Sequence, residues 1–384
     1  MVLKATYKIT IGPWSIDSAD DPRTEFIALE THLSVGSCND CCRISLYAPG
    51  EEPGLLEGLV SEAAGALGLG AGSGQQAFSI QVRGNHIKPG DPIIIRLTSG
   101  EVSGKVMTAE VQSVDSSFGQ TRITGRTAVQ KMANTRLNQV YENQSFKQIV
   151  NDLAGQAGVT SGNIETGSRY PYLVVHESKN LYQILRELAM GEGMDVYFDP
   201  DNRLNINQFS KTGADHTFNY GIDIFDLRVF NYQMNNQHIL VYGESPASNQ
   251  GTDTWHWIAR DLSPVQGEVG TGSQTLSFHS GVIRTKDAAD MLAASKYGAI
   301  KDNSTWGRLK ILGNPAVKPG DAIEIKNAQK PELNGLFKVT AVRHILNKEE
   351  GYVTRLGFTG SGGAAAASSL LGGLAGNLTG ALGL

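Results

Sequence analysis

Three cysteines fall within five residues, Cys38-Asn-Asp-Cys41-Cys42, with His32 a short way upstream. CxxC spacing with a nearby histidine is the pattern of thiolate chemistry: a metal ion, a cluster or a redox disulfide. A closed metal site takes about four ligands. One chain offers three thiols here, and Cys41 and Cys42 point to opposite faces if they lie in a strand. The residues are therefore expected to be small apolar side chains in a turn or at a contact between chains, with no cofactor. A site shared across a three-fold axis, or an intermolecular disulfide, is the alternative.

The other chemistry-bearing residues form no catalytic constellation. The eight histidines are scattered. His216, His238 and His256 are candidates to converge, but there is no HExxH or paired-His spacing and no GxSxG nucleophile elbow. The glycine-rich runs lack the phosphate-loop lysine. Asp199, Asp201 and Asn202 read as a hairpin turn rather than a calcium loop, and Glu349-Glu350-Gly351 as a solvated turn. Glu187 and Glu192 read as the polar face of a helix, not a glycosidase pair. Trp255-His-Trp257, in a long polar stretch, is expected in the core or at a contact with another subunit, where Trp is enriched.

The elements that must position these residues follow from a repeat. Ile87-Lys-Pro-Gly-Asp-Pro-Ile-Ile-Ile95 recurs as Val317-Lys-Pro-Gly-Asp-Ala-Ile-Glu-Ile325. Downstream, Gly104 to Val114 and Gly125-Arg-Thr are matched by Gly335 to His344 and Gly357-Phe-Thr. Pro89-Gly90-Asp91 and Pro319-Gly320-Asp321 are expected turns: Pro fixes φ, Gly supplies φ > 0, and Asp accepts from turn amides. The alternating isoleucines that follow put one face into a core. A weaker echo sets Glu25 to Tyr47 beside Phe225 to Tyr242, with Ile44 to Tyr47 against Ile239 to Tyr242.

Between the copies, Ser145 reads as an N-cap for Phe146, Ile149, Val150, Leu153 and Ala157 at helical spacing. A second helix starts near Ser178, with Leu181, Ile184, Leu185, Leu188 and Ala189 as its stripe. A hairpin around Asp199 to Asn202 follows. Thr285 starts a third helix with Ala288, Ala289, Met291, Leu292 and Tyr297 as its stripe. The chain is thus α+β and mainly β. It divides into a first small antiparallel β-barrel (1–135, with an Ala/Gly/Leu-rich insertion at 51–76), an α/β insertion (136–212), a second similar barrel (213–359) and an uncharged Gly/Ala/Leu tail (360–384).

Composition excludes several classes. The 384 residues are 40% hydrophobic and 18% charged, a globular balance. The net charge of −5 gives no footprint for nucleic acid. No apolar run is long enough for a stable membrane span. Met1 to Gly12 alternates apolar and polar residues without the apolar core of a signal peptide, so synthesis and assembly are expected in the cytoplasm.

The order barrel, two-helix insertion, barrel resembles the baseplate-hub family of contractile tails: phage late-control D proteins, myophage hubs and the hub portion of VgrG. The residues that carry the resemblance are Phe146-Lys-Gln-Ile-Val-Asn-Asp-Leu-Ala154, Val175-His-Glu-Ser-Lys-Asn-Leu181 with Ile184 to Ala189, Val196-Tyr-Phe198, and Val339 to Leu356. The resemblance implies a non-enzymatic structural hub: a homotrimer whose six similar units form a ring, adapting a six-fold inner tube to a three-fold spike. It implies inner-tube, spike and baseplate wedge proteins as partners, in a phage tail or contractile injection particle. Unlike VgrG, the chain shows no β-rich needle after the second repeat, so the spike is expected to be a separate protein. The alternatives are a tail-associated lytic protein, which needs a catalytic constellation that the sequence does not show, and a cell-wall-binding protein, because the 145–206 segment is similar to LysM-like units.

The tail places Leu371, Leu374, Leu378 and Leu382 at helical spacing among many glycines, which oppose an isolated helix. It is expected to order on docking, against a partner or against copies of itself. Charged residues at Leu374 and Leu378 should lower particle yield while leaving the thermal unfolding of the purified protein unchanged. An unaltered yield rules out an essential role for the tail.

Overall fold

The computed structural model describes residues 5–18, 26–47, 80–82, 85–117, 120–209, 213–232, 237–243, 265–280, 283, 285–330 and 333–360. The first part of the chain contributes β1 (Ala5–Ile11), β2 (Trp14–Asp17), β3 (Phe26–Ser34), β4 (Cys41–Tyr47), β5 (Ile80–Val82), β6 (Asn85–Ile87), β7 (Pro92–Ser99), β8 (Val102–Ser117) and β9 (Gln120–Arg126). The insertion holds α1 (Val129–Asn134), β10 (Gln139–Ser145), α2 (Phe146–Gln156), β11 (Ser161–Ile164), β12 (Arg169–Val175), α3 (Leu181–Gly191), β13 (Asp195–Phe198) and β14 (Leu204–Asn207). The last part contributes β15 (His216–Asn219), β16 (Ile224–Asn231), β17 (Gln237–Gly243), β18 (Gln266–Val269), β19 (Gln274–Ser280), α4 (Lys286–Asn303), β20 (Thr305–Leu312), β21 (Ala322–Lys326), β22 (Gly335–Asn347) and β23 (Gly351–Thr359).

The fold is α+β and mainly β. Two separate closed barrels are not what the ladders show. One sheet of 13 strands runs through both halves in the order β16-β20-β23-β22-β3-β4-β9-β8-β7-β1-β2, with β21 paired to β22 and β15 paired to β21. The first half meets the second where β3 pairs antiparallel with β22, from Ala341↔Ser34 to Asn347↔Ala28. Period-two alternation decides which face is buried. Ile93, Ile95 and Leu97 of β7 are fully buried, as are Ile323 and Ile325 of β21. Each such side chain contributes about 1.5–3 kcal/mol.

Both repeat turns have the same geometry. Asp91 N donates to Lys88 O at 3.2 Å, and Asp321 N donates to Lys318 O at 3.2 Å. Gly90 (φ 93) and Gly320 (φ 82) occupy the third position, where a type II turn demands positive φ. The Asp carboxylates accept from Lys88 N at 2.9 Å and Lys318 N at 2.8 Å.

Strand pairing gives the two halves one frame. Val111 bonds the first turn through Gly90 N and Asp91 O, and Val339 bonds the second through Gly320 N and Asp321 O. β8 and β9 carry a bulge between Val111 and Ser113; β22 and β23 carry one between Val339 and Ala341. β3 and β4 are irregular between Phe26 and Ala28; β16 and β20 are irregular between Ile224 and Asp226. So β3, β4, β9 and β8 correspond to β16, β20, β23 and β22, residue for residue.

This corrects two sequence expectations. Val111 lies seven residues after Gly104, but Val339 lies four after Gly335. Matching the two glycines is therefore three residues out of register, an odd slip that assigns side chains to the wrong face. The weaker echo also fails. The counterpart of Ile44 to Leu46 is Leu309 to Ile311 in β20, not Ile239 to Tyr242, because β17, β18, β19 and α4 interrupt the second hairpin between β16 and β20. β17 belongs to a separate three-stranded sheet, packed on α4 through Ile239, Val241, Ala289, Leu292 and Ala293. Met291, expected in the α4 stripe, is exposed.

The insertion has its own core, built from Phe146, Ile149, Leu153, Leu181, Leu185 and Phe198 among others. Both of its longer helices open with a capping box. Ser145 and Gln148 exchange bonds at α2, and Asn180 and Gln183 do so at α3. The second helix therefore starts at Leu181, three residues later than Ser178, because Asn180 supplies the cap.

Corresponding core positions exchange size. Cys42 and Gly125 face one another in the first half, and a Cβ on Gly125 would lie 2.6 Å from Cys42 Sγ. Their counterparts are Gly307 and Phe358; a Cβ on Gly307 would lie 2.3 Å from Phe358 Cζ and 2.6 Å from the Arg228 carbonyl oxygen. The carbonyl is backbone and cannot yield, so Gly307→Ala should destabilise the protein by about 1–3 kcal/mol. Chemical denaturation of the purified variant measures this.

Candidate functional site

The chemistry-bearing residues of the sequence are dispersed. Cys41 and Cys42 are neighbours in β4 on opposite faces: Cys42 is fully buried, Cys41 half-buried, and Cys38 lies exposed in the preceding turn. All three thiols are free. Burial pushes the Cys42 thiol up to about 12, so it stays protonated and unreactive. His32 sits opposite Cys41 across the β3–β4 ladder, its pKa lowered by burial and by the Arg343 guanidinium. His216 and His238 do not converge. His216 Nε2 lies 3.1 Å from Asp321 Oδ2 of the second turn, and His238 Nε2 lies 2.7 Å from Glu268 Oε1 in another sheet. Among the described residues no group of three or more His, Cys, Asp or Glu is placed to hold a metal ion. No helix among them is long and apolar enough to cross a membrane.

Two acidic groups have structural roles. Glu192 is not on an open helix face. It accepts from Ser168 N and Oγ and from the Tyr170 hydroxyl, fastening the end of α3 to β12. Asp199 Oδ1 accepts from Asp201 N and Arg203 N inside the hairpin turn, and Asn202 adopts positive φ there. Glu187 pairs with Lys179. His256, Trp255 and Trp257, the 51–76 insertion, and Leu371, Leu374, Leu378 and Leu382 lie outside the described residues.

What the fold does bring together is a junction. β3 and β22 come from opposite ends of the chain and are laddered along seven residue pairs. Arg343 of β22 reaches Glu30 of β3 at 2.6 Å, and Arg43 of β4 stands 3.6 Å from the same carboxylate. The turn after β3 extends the contact: Val35 N donates to Thr340 O and Gly36 N to Val196 O in β13. Leu346 and Tyr352 of the second half complete the core of the first. The insertion holds both halves. Its Asp201 pairs with Lys105 of β8 at 2.5 Å, its Asp195 pairs with Lys338 of β22, and its Asn202 Oδ1 accepts from Ala128 N at 2.8 Å. No sequence motif marks these pairs, because each joins residues far apart in the chain.

Two titratable groups lie buried beside the ladder. Asp40 accepts from Ser34 N at 2.8 Å and Ser34 Oγ at 2.9 Å. Burial outweighs those bonds and raises its carboxyl to about 7. His344 of β22 contacts Thr354 Oγ1 and the Tyr352 hydroxyl, and burial lowers its imidazole to about 3.

The same sheet ends in an exposed strand. β16 is the last strand of the order, and Phe225 (61% exposed) and Phe230 (42%) stand out on it, with Ile222 (78%) and Tyr232 (66%) beside it. Its counterpart β3 has Phe26, Leu29, Thr31, Leu33 and Ser34 buried. Among the described residues no strand pairs with the outer edge of β16, and exposed apolar side chains at such an edge are of the kind that interaction surfaces carry.

No family model matches the chain, and no curated protein matches it in sequence. Solved structures do share its fold. The 43 kDa tail protein of prophage MuSo2 from Shewanella oneidensis superposes with a TM-score of 0.64 at 12% identity, over 92% of this chain and 98% of that one. A tail protein from Neisseria meningitidis MC58 gives 0.63 at 9% identity, over 93% and 96%. The c3393 protein of E. coli, a type VI secretion component, gives 0.52 at 10% identity, over 92% and 76%. At such identities the likeness is one of fold.

Asp40 and His344 make opposite contributions to stability against pH. A raised carboxyl stabilises the fold below its unfolded value, and that contribution is lost as pH rises towards about 7. A lowered imidazole stabilises the fold above its unfolded value, and that contribution is lost as pH falls below it towards about 3. Between these limits the two slopes oppose one another. Asp40→Asn removes one of them. The variant should lose stability by about 1.4 kcal/mol per pH unit on acidification from about 6.5 to 4.5, relative to the parent. Urea titrations across that range measure the difference; parallel curves overturn the assignment.

Proposed function

We propose that this protein is a non-enzymatic structural hub of a contractile tail or injection-particle baseplate. Three chains assemble in a ring of six near-equivalent halves. One face of the ring meets a six-fold inner tube and the other a three-fold spike, supplied as a separate protein, with baseplate wedge proteins around the outside. The observation that carries this reading is the shared frame of the two halves, with the same bulges, turns and strand order in each. An adaptor between six-fold and three-fold neighbours needs this duplication, since three chains then present six similar units. The likeness in fold to phage-tail proteins and to a type VI secretion component supports the reading. The dispersed chemistry of the described residues suits a protein whose work is assembly.

Native mass spectrometry of the purified chain, alone and mixed with the tube and spike proteins of its particle, tests the proposal. The expected species contains three copies of this chain. A chain that stays monomeric in both samples and is absent from purified particles overturns it.

A further inference from the structure

The duplicated frame holds four strands of the kind that make the internal junction, β3, β22, β16 and β8, and the internal ladder joins two of them. β22 from Ala341 onwards takes β3 on the side that β21 and the Gly320-Asp321 turn occupy further up the strand. The counterpart of that stretch begins at Ser113 of β8. There β9 holds one side and the pairing with β7 stops at Glu110 on the other, so among the described residues no second strand is laddered beside Ser113 to Ser117. The counterpart of β3 is β16, the last strand of the sheet.

Exposure follows the same division. Glu30 and His32 of β3 are half-buried, whereas their counterparts Arg228 and Phe230 are exposed. Arg343, His344 and Ile345 of β22 are half-buried or buried, whereas their counterparts Asp115, Ser116 and Ser117 are exposed. The exposed set is what the junction would look like with its partner strand removed.

We propose that β16 of one protomer adds antiparallel to the end of β8 of the next, in the register of the internal junction. This rests on the trimeric reading above and deepens it by naming the surface. The internal pairs Ala341↔Ser34, Val342↔Leu33, Arg343↔His32, His344↔Thr31 and Ile345↔Glu30 translate into Ser113 opposite Tyr232, Val114 opposite Asn231, Asp115 opposite Phe230, Ser116 opposite Val229 and Ser117 opposite Arg228. The second residue of each new pair comes from the neighbouring copy.

Charge supplies an independent observation. In the internal junction β22 carries the cation, Arg343, and β3 the anion, Glu30. At the corresponding positions β8 carries an anion, Asp115, and β16 a cation, Arg228. Both signs are inverted, so the diagonal attraction is kept. A second copy of this chain thus matches the edge in hydrogen-bonding register and in charge.

Two experiments on the full chain test this surface. In the first, Asp115→Arg and Arg228→Asp are made singly and together. An arginine at position 115 would face Arg122 across the ladder, an arrangement β22 and β23 already carry at Arg343 and Arg355. Each single reversal should raise the concentration at half-assembly by roughly tenfold or more, and the double variant should return to within about threefold of the parent. In the second, Ser116→Cys and Val229→Cys are combined and oxidised, with the single variants controlling for native thiols. The expected non-reducing ladder stops at three chains. Trimers that neither cross-link nor show charge rescue overturn this surface and leave the trimeric reading standing. A ladder that continues past three keeps the strand pairing and overturns ring closure by three chains. No oligomer of any size, alone or with the tube and spike proteins, overturns both.

Discussion

The ladder between β3 and β22 is the interaction on which the rest of the structure depends. It joins a strand that begins at Phe26 to one that begins at Gly335, so its formation closes a loop that spans most of the chain. Such a contact has a large entropic cost and is repaid only when both halves are already shaped to receive it. The neighbouring packing shows how that repayment is spread. Leu346 and Tyr352 cross into the first core, and the turn after β3 bonds both β22 and the insertion. The insertion in turn holds β8 through Asp201 and β22 through Asp195. Without the ladder, each half would leave a flat strand edge and part of its core open to water.

Around that ladder, two copies of one frame have kept their backbone and exchanged their side chains. The turn positions persist as Pro-Gly-Asp because φ > 0 and an amide acceptor are backbone requirements with few solutions. Core positions are freer, provided one of two facing residues stays small enough to admit the other. Cys42 against Gly125 becomes Gly307 against Phe358, with the larger side chain moved to the other strand. The cysteine that suggested metal chemistry is, in its setting, the larger member of one such pair.

This division also explains what the sequence revealed. The turns, the alternating isoleucines after them and both capped helices of the insertion are local, and local rules read them. Ser145 marks its cap directly; Ser178 and Asn180 are both residue types that cap, and only the backbone selects Asn180. The register between Val111 and Val339 was hidden because a glycine match three residues out looks equally good in letters and opposite in faces. The β3–β16 correspondence was hidden for a different reason. The second hairpin is interrupted by β17 to α4, which moves its returning strand far down the chain. The junction itself has no sequence signature. Its ion pairs link residues that proximity in the chain never associates, and the partners of Glu192, Ser168 and Tyr170, lie more than 20 residues upstream of it.

The inverted charges at the internal junction and at the one proposed between chains also answer a problem that duplication creates. Near-identical halves offer near-identical edges, so β3 of one chain is a plausible partner for β8 of another, and β16 for β22. Those mispairings would set Glu30 against Asp115 and Arg343 against Arg228, like charges within one ladder. The internal pairing and the proposed pairing between chains set unlike charges in both places. Each ion pair, taken alone and partly exposed, contributes little to stability. Their value lies in the difference between the right and wrong combinations, where attraction is exchanged for repulsion at a site a new strand would bury. In the proposed ring of six similar halves, that difference would separate the joint a chain makes with itself from the joint it makes with its neighbour. It would let one backbone frame serve in both places without the chains pairing out of order.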